Sequence, residues 1–217
     1  MIRVRSRFAA CIVALAAVSC SSKDSTGPGG GASDDGDYRG IFSATDGITA
    51  FGGALVITIQ SATASGTLTP SGQSAVSLSG TFSTSTKAVN LSGGGHTLAG
   101  TVNSTSGELS GAHHGTGGDG TFATQKGTSS EVQQFCGTFT GDDTGTWNLS
   151  KRANSLVGAY AADGGGDGSL SGTLSGSSIS ITFSGGTASG TLTSATAMNG
   201  TWTAAPASGT WTGHSPC

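Results

Sequence analysis

The histidines are the residues of this sequence best suited to acid–base chemistry or to metal binding. They are His96, His113, His114 and His214. His113 and His114 are adjacent, and adjacent side chains of a β-strand point to opposite faces, so this pair makes a poor chelate by itself. We therefore predict neutral histidines on the surface or in loops, and no metal site.

Two segments rich in glycine and aspartate have the composition of calcium-binding loops. Residues 163–168 are Asp-Gly-Gly-Gly-Asp-Gly, and residues 141–143 are Gly-Asp-Asp. The longer segment occurs once, without the repeated nonapeptide register of calcium-binding glycine–aspartate repeats. Both segments are also turn signals. The sequence therefore favours two connections between strands, and it predicts no cofactor.

Motifs of the common enzyme classes are missing from the sequence. No Gly-x-Ser-x-Gly stands between a strand and a helix, as a nucleophile elbow requires. No phosphate-binding Gly-Lys-Ser/Thr is present, and the carboxylates of Glu108 and Asp119 have no spacing that defines an acid–base pair. We therefore predict that the protein is not an enzyme and has no catalytic residue.

The tryptophans of the chain are confined to its second half. Trp147, Tyr160, Trp202 and Trp211 all lie there. The simplest role for such residues is to fill a hydrophobic core. The alternative is that Trp147, Tyr160 and Trp202, which occupy predicted inward positions, line a cavity for a small apolar or sugar ligand.

Residues 1–19 have the composition of an export signal. Arg3, Arg5 and Arg7 precede an uncharged run from Phe8 to Val18, and a basic start followed by a short apolar segment is typical of such signals. The run has eleven residues, whereas a membrane-spanning helix needs about 20. We therefore predict a cleaved signal peptide and no transmembrane helix.

The segment Leu15-Ala16-Ala17-Val18-Ser19-Cys20 resembles the signal of bacterial lipoproteins, in which small residues precede a cysteine. This resemblance covers only the amino terminus. It implies that the Cys20 thiol carries a diacylglycerol and anchors the chain in the cell envelope. Ser21 is not the aspartate that retains some lipoproteins in the inner membrane, so the resemblance favours the outer membrane. The alternative is an ordinary secretory signal with an incidental cysteine.

The chain has four cysteines. Cys11 lies inside the signal and Cys20 is the predicted lipid site, which leaves Cys136 and Cys217. An even pair of cysteines in an oxidising compartment predicts a disulfide. The bridge would enclose almost the whole second half of the chain. It requires Cα atoms within about 7 Å of each other, so both ends of that half should meet.

Residues 20–37 are polar and rich in glycine and serine, with no apolar side chain larger than alanine after Cys20. Such a segment buries too little surface to fold by itself. We predict a flexible tether, with Asp34, Asp35 and Asp37 as a solvated acidic run. The chain carries nine basic and twelve acidic residues, which argues against a nucleic-acid partner. The sequence therefore predicts the membrane, contacted through the lipid anchor, as the partner of the protein.

A five-residue unit recurs after the tether: a large apolar residue, any residue, glycine, any residue, and a second large apolar residue. Examples are residues 38–42, 78–82, 98–102, 135–139 and 170–174. Alternating side chains place the apolar residues and the glycine on one face of a strand, and serine and threonine on the other. This pattern is typical of an antiparallel sheet with one face in water.

The repeats form two sets of eight predicted strands that match in order. We predict β module one at residues 38–127, a linker at 128–134 and β module two at 135–217. Short strands joined by glycine-rich turns favour an all-β fold with two tandem eight-stranded up-and-down barrels, in which inward glycines leave room for large side chains. Two β-sandwiches are the alternative, and a sixteen-stranded solenoid is a third possibility.

Three functional hypotheses follow from these features. The first is a membrane-anchored envelope lipoprotein that acts as a non-catalytic binding or structural surface module. The second is a barrel that binds a small apolar or sugar ligand in its cavity. A secreted hydrolase is the third and the least favoured hypothesis.

Overall fold

The computed structural model describes residues 33–217 and contains sixteen β-strands. In the first half the strands are β1 Gly36–Thr45, β2 Ala50–Gln60, β3 Thr63–Pro70, β4 Val76–Phe82, β5 Ala88–Gly93, β6 His96–Asn103, β7 Glu108–Gly115 and β8 Gly118–Lys126. In the second half they are β9 Val132–Gly141, β10 Gly145–Arg152, β11 Ser155–Ala162, β12 Asp167–Ser175, β13 Ser178–Phe183, β14 Gly186–Ser194, β15 Ala197–Ala204 and β16 Ala207–His214. No helix within the described residues is a candidate for crossing a membrane.

These strands form two closed antiparallel barrels of eight strands each, β1–β8 and β9–β16. Within each barrel, strands that follow one another in sequence pair, and the barrel closes where its last strand pairs with its first. The all-β fold with two tandem up-and-down barrels, predicted from the repeats, is therefore confirmed. The strands start slightly earlier than predicted: β1 begins at Gly36, inside the expected tether, and β9 begins at Val132, inside the expected linker.

The apolar residues of the five-residue units fill the two barrel interiors. Tyr38 and Phe42 of β1 are fully buried in the first core, and Phe135 and Leu149 are almost fully buried in the second. Side chains alternate along a strand, so the serine and threonine residues between them face outward.

Paired glycines make room inside each barrel for one large aromatic ring. In the second barrel the ring of Trp211 lies over Gly190 and Gly200, and a Cβ atom at either glycine would come within 2.6–2.7 Å of it. In the first barrel a Cβ at Gly100 would come within 2.6 Å of the Phe122 ring. The glycines are therefore required by close approach, as the sequence pattern predicts.

The two barrels pack against each other through the outer faces of β1 and β8 on one side and of β10 and β11 on the other. The outward positions of these strands carry Ile41, Ala123, Val157 and Ala159, all of which are buried. Serine and threonine in water were expected on every outer face, and for these strands that expectation is wrong. Burial of aliphatic surface stabilises the contact by about 25 cal/mol for each Å² removed from water.

Asn148 is the polar centre of this contact between the barrels. Its Nδ2 donates to Ser43 Oγ at 2.8 Å and to the carbonyl of Phe42 at 3.2 Å, and its Oδ1 accepts from Gly137 N–H. Ser43 Oγ in turn donates to the carbonyl of Ala159 at 2.9 Å. Asn148 is 2 % exposed, so these bonds are shielded from water and tie the two barrels together.

A disulfide joins Cys136 of β9 to Cys217, just past β16, with a Cα–Cα distance of 4.9 Å. The predicted bridge is therefore confirmed. Cys136 already pairs with His214 across the closing strands. The disulfide thus fastens the second barrel at the point where its first and last strands meet.

Candidate functional site

The second barrel has a cavity of about 160 Å³ at one end of its core. The cavity lies at the end where β9 finishes and β10 begins. Aromatic side chains provide most of its wall: Phe139, Trp147, Tyr160, Phe183 and Trp202. The three residues that the sequence singled out as possible ligand-lining groups, Trp147, Tyr160 and Trp202, are therefore brought together at one site.

The aromatic rings of the cavity stand at steep angles to one another. The ring of Phe139 meets those of Tyr160 and Trp202 at 79° and 84°, with centroids 6.5 and 5.7 Å apart. The ring of Phe183 meets those of Trp147 and Tyr160 at 89° and 64°. These edge-to-face contacts are favourable in themselves. Because neighbouring rings are steeply inclined to each other, the wall has no wide flat aromatic surface.

Carboxylates are concentrated at the cavity end of the second barrel. Asp143 lines the cavity, and Asp167 lies at the start of β12 beside the same opening. Burial raises the pKa of the Tyr160 hydroxyl, and the charges of Asp167 and Asp143 raise it further. Burial, with a smaller contribution from Asp119 of the first barrel, also raises the pKa of Asp167. The potential at the mouth is therefore negative.

The strand registers allow position-by-position comparison of the two barrels. Phe139 pairs with Gly145 in the second barrel as Phe42 pairs with Gly53 in the first. From this starting point, the paired residues of successive strands give the equivalent positions of the two barrels. The residues of the first barrel that correspond to Trp147, Tyr160, Phe183 and Trp202 are Leu55, Leu68, Gly93 and His113.

Phe51 and His96 fill this end of the first barrel. Phe51 packs edge-to-face on Phe42 at 6.1 Å, and the His96 ring lies 5.2 Å from the His113 ring. In the second barrel the positions of Phe51 and His96 are held by Asp143 and Gly186. The first barrel also has a pocket at this end, of about 310 Å³, but Phe51 and His96 stand between it and the core, and most of its other lining residues are polar. Without these two rings, the cavity of the second barrel is lined by aromatic core residues.

His113 is fully buried on the inner face of β7, so its expected placement on the surface or in a loop is wrong. Burial first, and then the nearby His96 and His114, lower the pKa of His113 to about 4, while Asp119 opposes the change. Its Nε2 shares a 3.0 Å hydrogen bond with His96 Nδ1. As predicted for adjacent strand residues, His114 points the other way, and its Nδ1 lies 3.0 Å from Asp119 Oδ1.

The two glycine–aspartate segments connect strands, as predicted. Asp163 accepts hydrogen bonds from Thr144 Oγ1 at 2.6 Å and from the N–H of Ala50 in the first barrel at 2.8 Å. Asp142 accepts from the N–H of Ser208 at 2.9 Å. Within residues 33–217, no three His, Cys, Asp or Glu side chains converge as a metal site.

A wider surface cleft of about 590 Å³ surrounds Asp35, Asp37, Lys126 and Glu131. Its carboxylates already have partners: Asp35 accepts from Ser61 N–H, Asp37 from Thr58 Oγ1, and Glu131 from Thr128. Asp34, just before the cleft, bonds Lys87 Nζ at 2.8 Å. These contacts hold the segment before β1 against the barrel, so we regard the cleft as structural despite its size.

Cys20, the predicted lipid-attachment residue, and the signal peptide lie outside the described residues. No protein-family profile matches the chain, and no curated protein or solved structure is significantly similar to it. The aromatic cavity of the second barrel is therefore the feature from which a function can be argued.

Proposed function

We propose that the protein is an exported, non-catalytic binding protein whose second barrel holds a small organic ligand in its aromatic cavity. The observation that carries the proposal is the contrast between the two barrels. At the same strand positions, Phe51 and His96 cover the core of the first barrel and leave a pocket with mostly polar walls, whereas the second barrel has a cavity lined by aromatic core residues. The first barrel is then the rigid structural partner of the binding barrel.

The size of the cavity limits the ligand. A volume of about 160 Å³ equals that of about five liquid water molecules, well below the roughly 300–1,000 Å³ typical of drug-sized ligands. The walls are aromatic, and Ala204 and Ala207 are the small residues at the rim. A compact ligand with an apolar surface fits this space.

Tryptophan fluorescence provides a specific test. All three tryptophans of the chain belong to the second barrel, and Trp147 and Trp202 line the cavity. We expect a saturable change in emission with small neutral alcohols or quaternary amines. An Ala207→Leu variant, which adds a side chain at the rim, should abolish the change.

The matched control for the blocking variant is Ser180→Leu, which places the same side chain on the exposed outer face of β13. This control should bind as the wild type does. Equal binding by the Ala207→Leu variant and by the wild type would contradict a ligand site in this cavity.

We also propose that Cys20 is lipidated and that the protein is held in the cell envelope, with the outer membrane as the expected location. The amino-terminal signal pattern supports this proposal, and the disulfide of the second barrel suits an oxidising compartment. Cells expressing the full chain and fed labelled palmitate should label the protein. Cys20→Ser should remove the label and Cys11→Ser should not. Label retained in Cys20→Ser would refute the anchor.

A further inference from the structure

We infer that the cavity of the second barrel binds a small organic cation with a methylated ammonium group of choline-like size. This inference rests on the proposed ligand site and adds the chemical class of the ligand. Three features of the described residues support it: the arrangement of the rings, the distribution of charge, and the scarcity of hydrogen-bonding side chains in the wall.

The rings suit a rounded cation better than a flat ligand. Cations are attracted to the faces of Trp, Tyr and Phe rings, and cages of several rings recognise quaternary ammonium groups. Here five rings follow one another around the cavity, with successive planes inclined by 64–89°. Rings inclined in this way can surround a trimethylammonium group. A sugar, in contrast, stacks on one wide aromatic face.

Charge in the second barrel is separated between its two ends. Four acidic residues, Asp142, Asp143, Asp163 and Asp167, lie in or beside the connections at the cavity end. At the opposite end Lys151 and Arg152 end β10, and Glu131, just before β9, offsets one of their charges. Such a separation attracts cations to the mouth and repels anions. Asp143, which lines the cavity, is placed to face the bound charge.

The wall offers few groups for a ligand rich in hydroxyls. Its polar groups are the Tyr160 hydroxyl, the indole N–H of Trp147, which has no partner, and the side chains of Asp143 and Ser184. A buried sugar would leave hydroxyl groups without partners, and each such group costs about 1–3 kcal/mol. A quaternary ammonium group such as the trimethylammonium of choline has no N–H to satisfy, so the same wall suits it.

The test compares choline with 3,3-dimethyl-1-butanol, in which a carbon atom replaces the charged nitrogen without changing the shape. Both are titrated into the disulfide-bonded protein at physiological ionic strength and followed by tryptophan fluorescence and calorimetry. Because a desolvated cation on aromatic faces gains substantially over its neutral analogue, we expect choline to bind at least about tenfold more tightly.

Two variants and one control separate the contribution of the charge from that of the rings. Asp143→Asn should weaken choline binding about fivefold and leave the neutral alcohol unchanged, because only the cation interacts with the carboxylate. Glu108→Gln removes the same charge at the other end of the first barrel and should change neither affinity, because charges beyond about 8 Å are screened at this ionic strength. Phe183→Leu keeps an apolar wall but removes one ring, and it should weaken choline binding more than alcohol binding.

The outcomes distinguish this inference from the proposed function. Equal or tighter binding of the neutral alcohol would overturn the cation class and leave the ligand site intact. No saturable response to either compound, with no difference between the wild type and Ala207→Leu, would overturn both. Tighter choline binding that Asp143→Asn does not weaken would overturn the role of Asp143.

Discussion

Acidification from neutral pH to about pH 4 should lower the unfolding free energy of the first barrel by about 3 kcal/mol, because His113 is buried in its neutral form. In an unfolded chain a histidine binds its proton near pH 6.5. In the folded barrel, burial first, and then His96 and His114, lower the pKa of His113 to about 4. Between these two values the unfolded chain binds more protons than the folded one, so stability falls as the pH falls.

The magnitude follows from the difference between the two pKa values. That difference is about 2.5 pKa units, and each unit corresponds to about 1.4 kcal/mol. Carboxylates with lowered pKa values, such as Asp34 and Asp163, affect stability mainly at lower pH. The range from about pH 6.5 to 5 therefore isolates the histidines.

Urea unfolding followed by circular dichroism measures the effect, of which about half should appear between pH 6.5 and 5. His113→Phe keeps a planar ring beside Phe42, whose centroid lies 5.0 Å from that of His113, and should flatten the pH dependence. His114→Gln, at an exposed position of the same strand, should retain it. An equal pH slope in the wild type and in His113→Phe would refute the role assigned to His113.

Three further predictions concern the architecture. Reducing the disulfide, whose cysteines are 81 residues apart, should lower the unfolding free energy of the second barrel by about 4–5 kcal/mol. Urea unfolding followed by tryptophan fluorescence measures this, and a change below about 1 kcal/mol would contradict the loop-closure estimate. Asn148→Ala leaves buried groups of both barrels unpaired and should cost about 2–4 kcal/mol, whereas Asn154→Ala, in an exposed turn, should be nearly neutral by the same assay. Gly200→Ala would place a Cβ 2.0 Å from the carbonyl oxygen of Ser189 and 2.7 Å from Trp211 Nε1, and should cost about 1–3 kcal/mol or more. Gly164→Ala, with no heavy atom within 4 Å, is its control, and equal thermal stability of the two variants would count against the packing explanation.

Most of the fold could be predicted because one short sequence unit repeats with a two-residue periodicity. Every strand carries the signal that determines its inner face, and the position of the cysteines specifies how the second barrel closes. The contact between the barrels was missed, although the sequence contains its signal. Ile41 and Val157 stand at outward positions, where most other strands carry serine or threonine.

The position of His113 could also have been found from the pattern. Leu109-Ser110-Gly111-Ala112-His113 is a further copy of the five-residue unit, with histidine in place of the last apolar residue. This copy predicts an inward imidazole.

The cavity itself was less accessible to sequence analysis than the residues around it. The inward positions of Trp147, Tyr160 and Trp202 follow from alternation, but an open space depends on the volumes of all side chains at that end. The deciding differences are Asp143 and Gly186 in place of Phe51 and His96. Matching those positions requires the register of strands that are distant in sequence.

The location of the first barrel's closure has a consequence for biogenesis. β1 and β8 meet under the second barrel, where Ser43 bonds the carbonyl of Ala159 and Gln125 Nε2 donates to the carbonyl of Ser150. The amino-terminal half leaves the ribosome first, yet the surface that covers its closing strands is synthesised later. The carboxy-terminal half is closed by its own disulfide. Once folded, it can serve as the surface against which the amino-terminal barrel completes its folding.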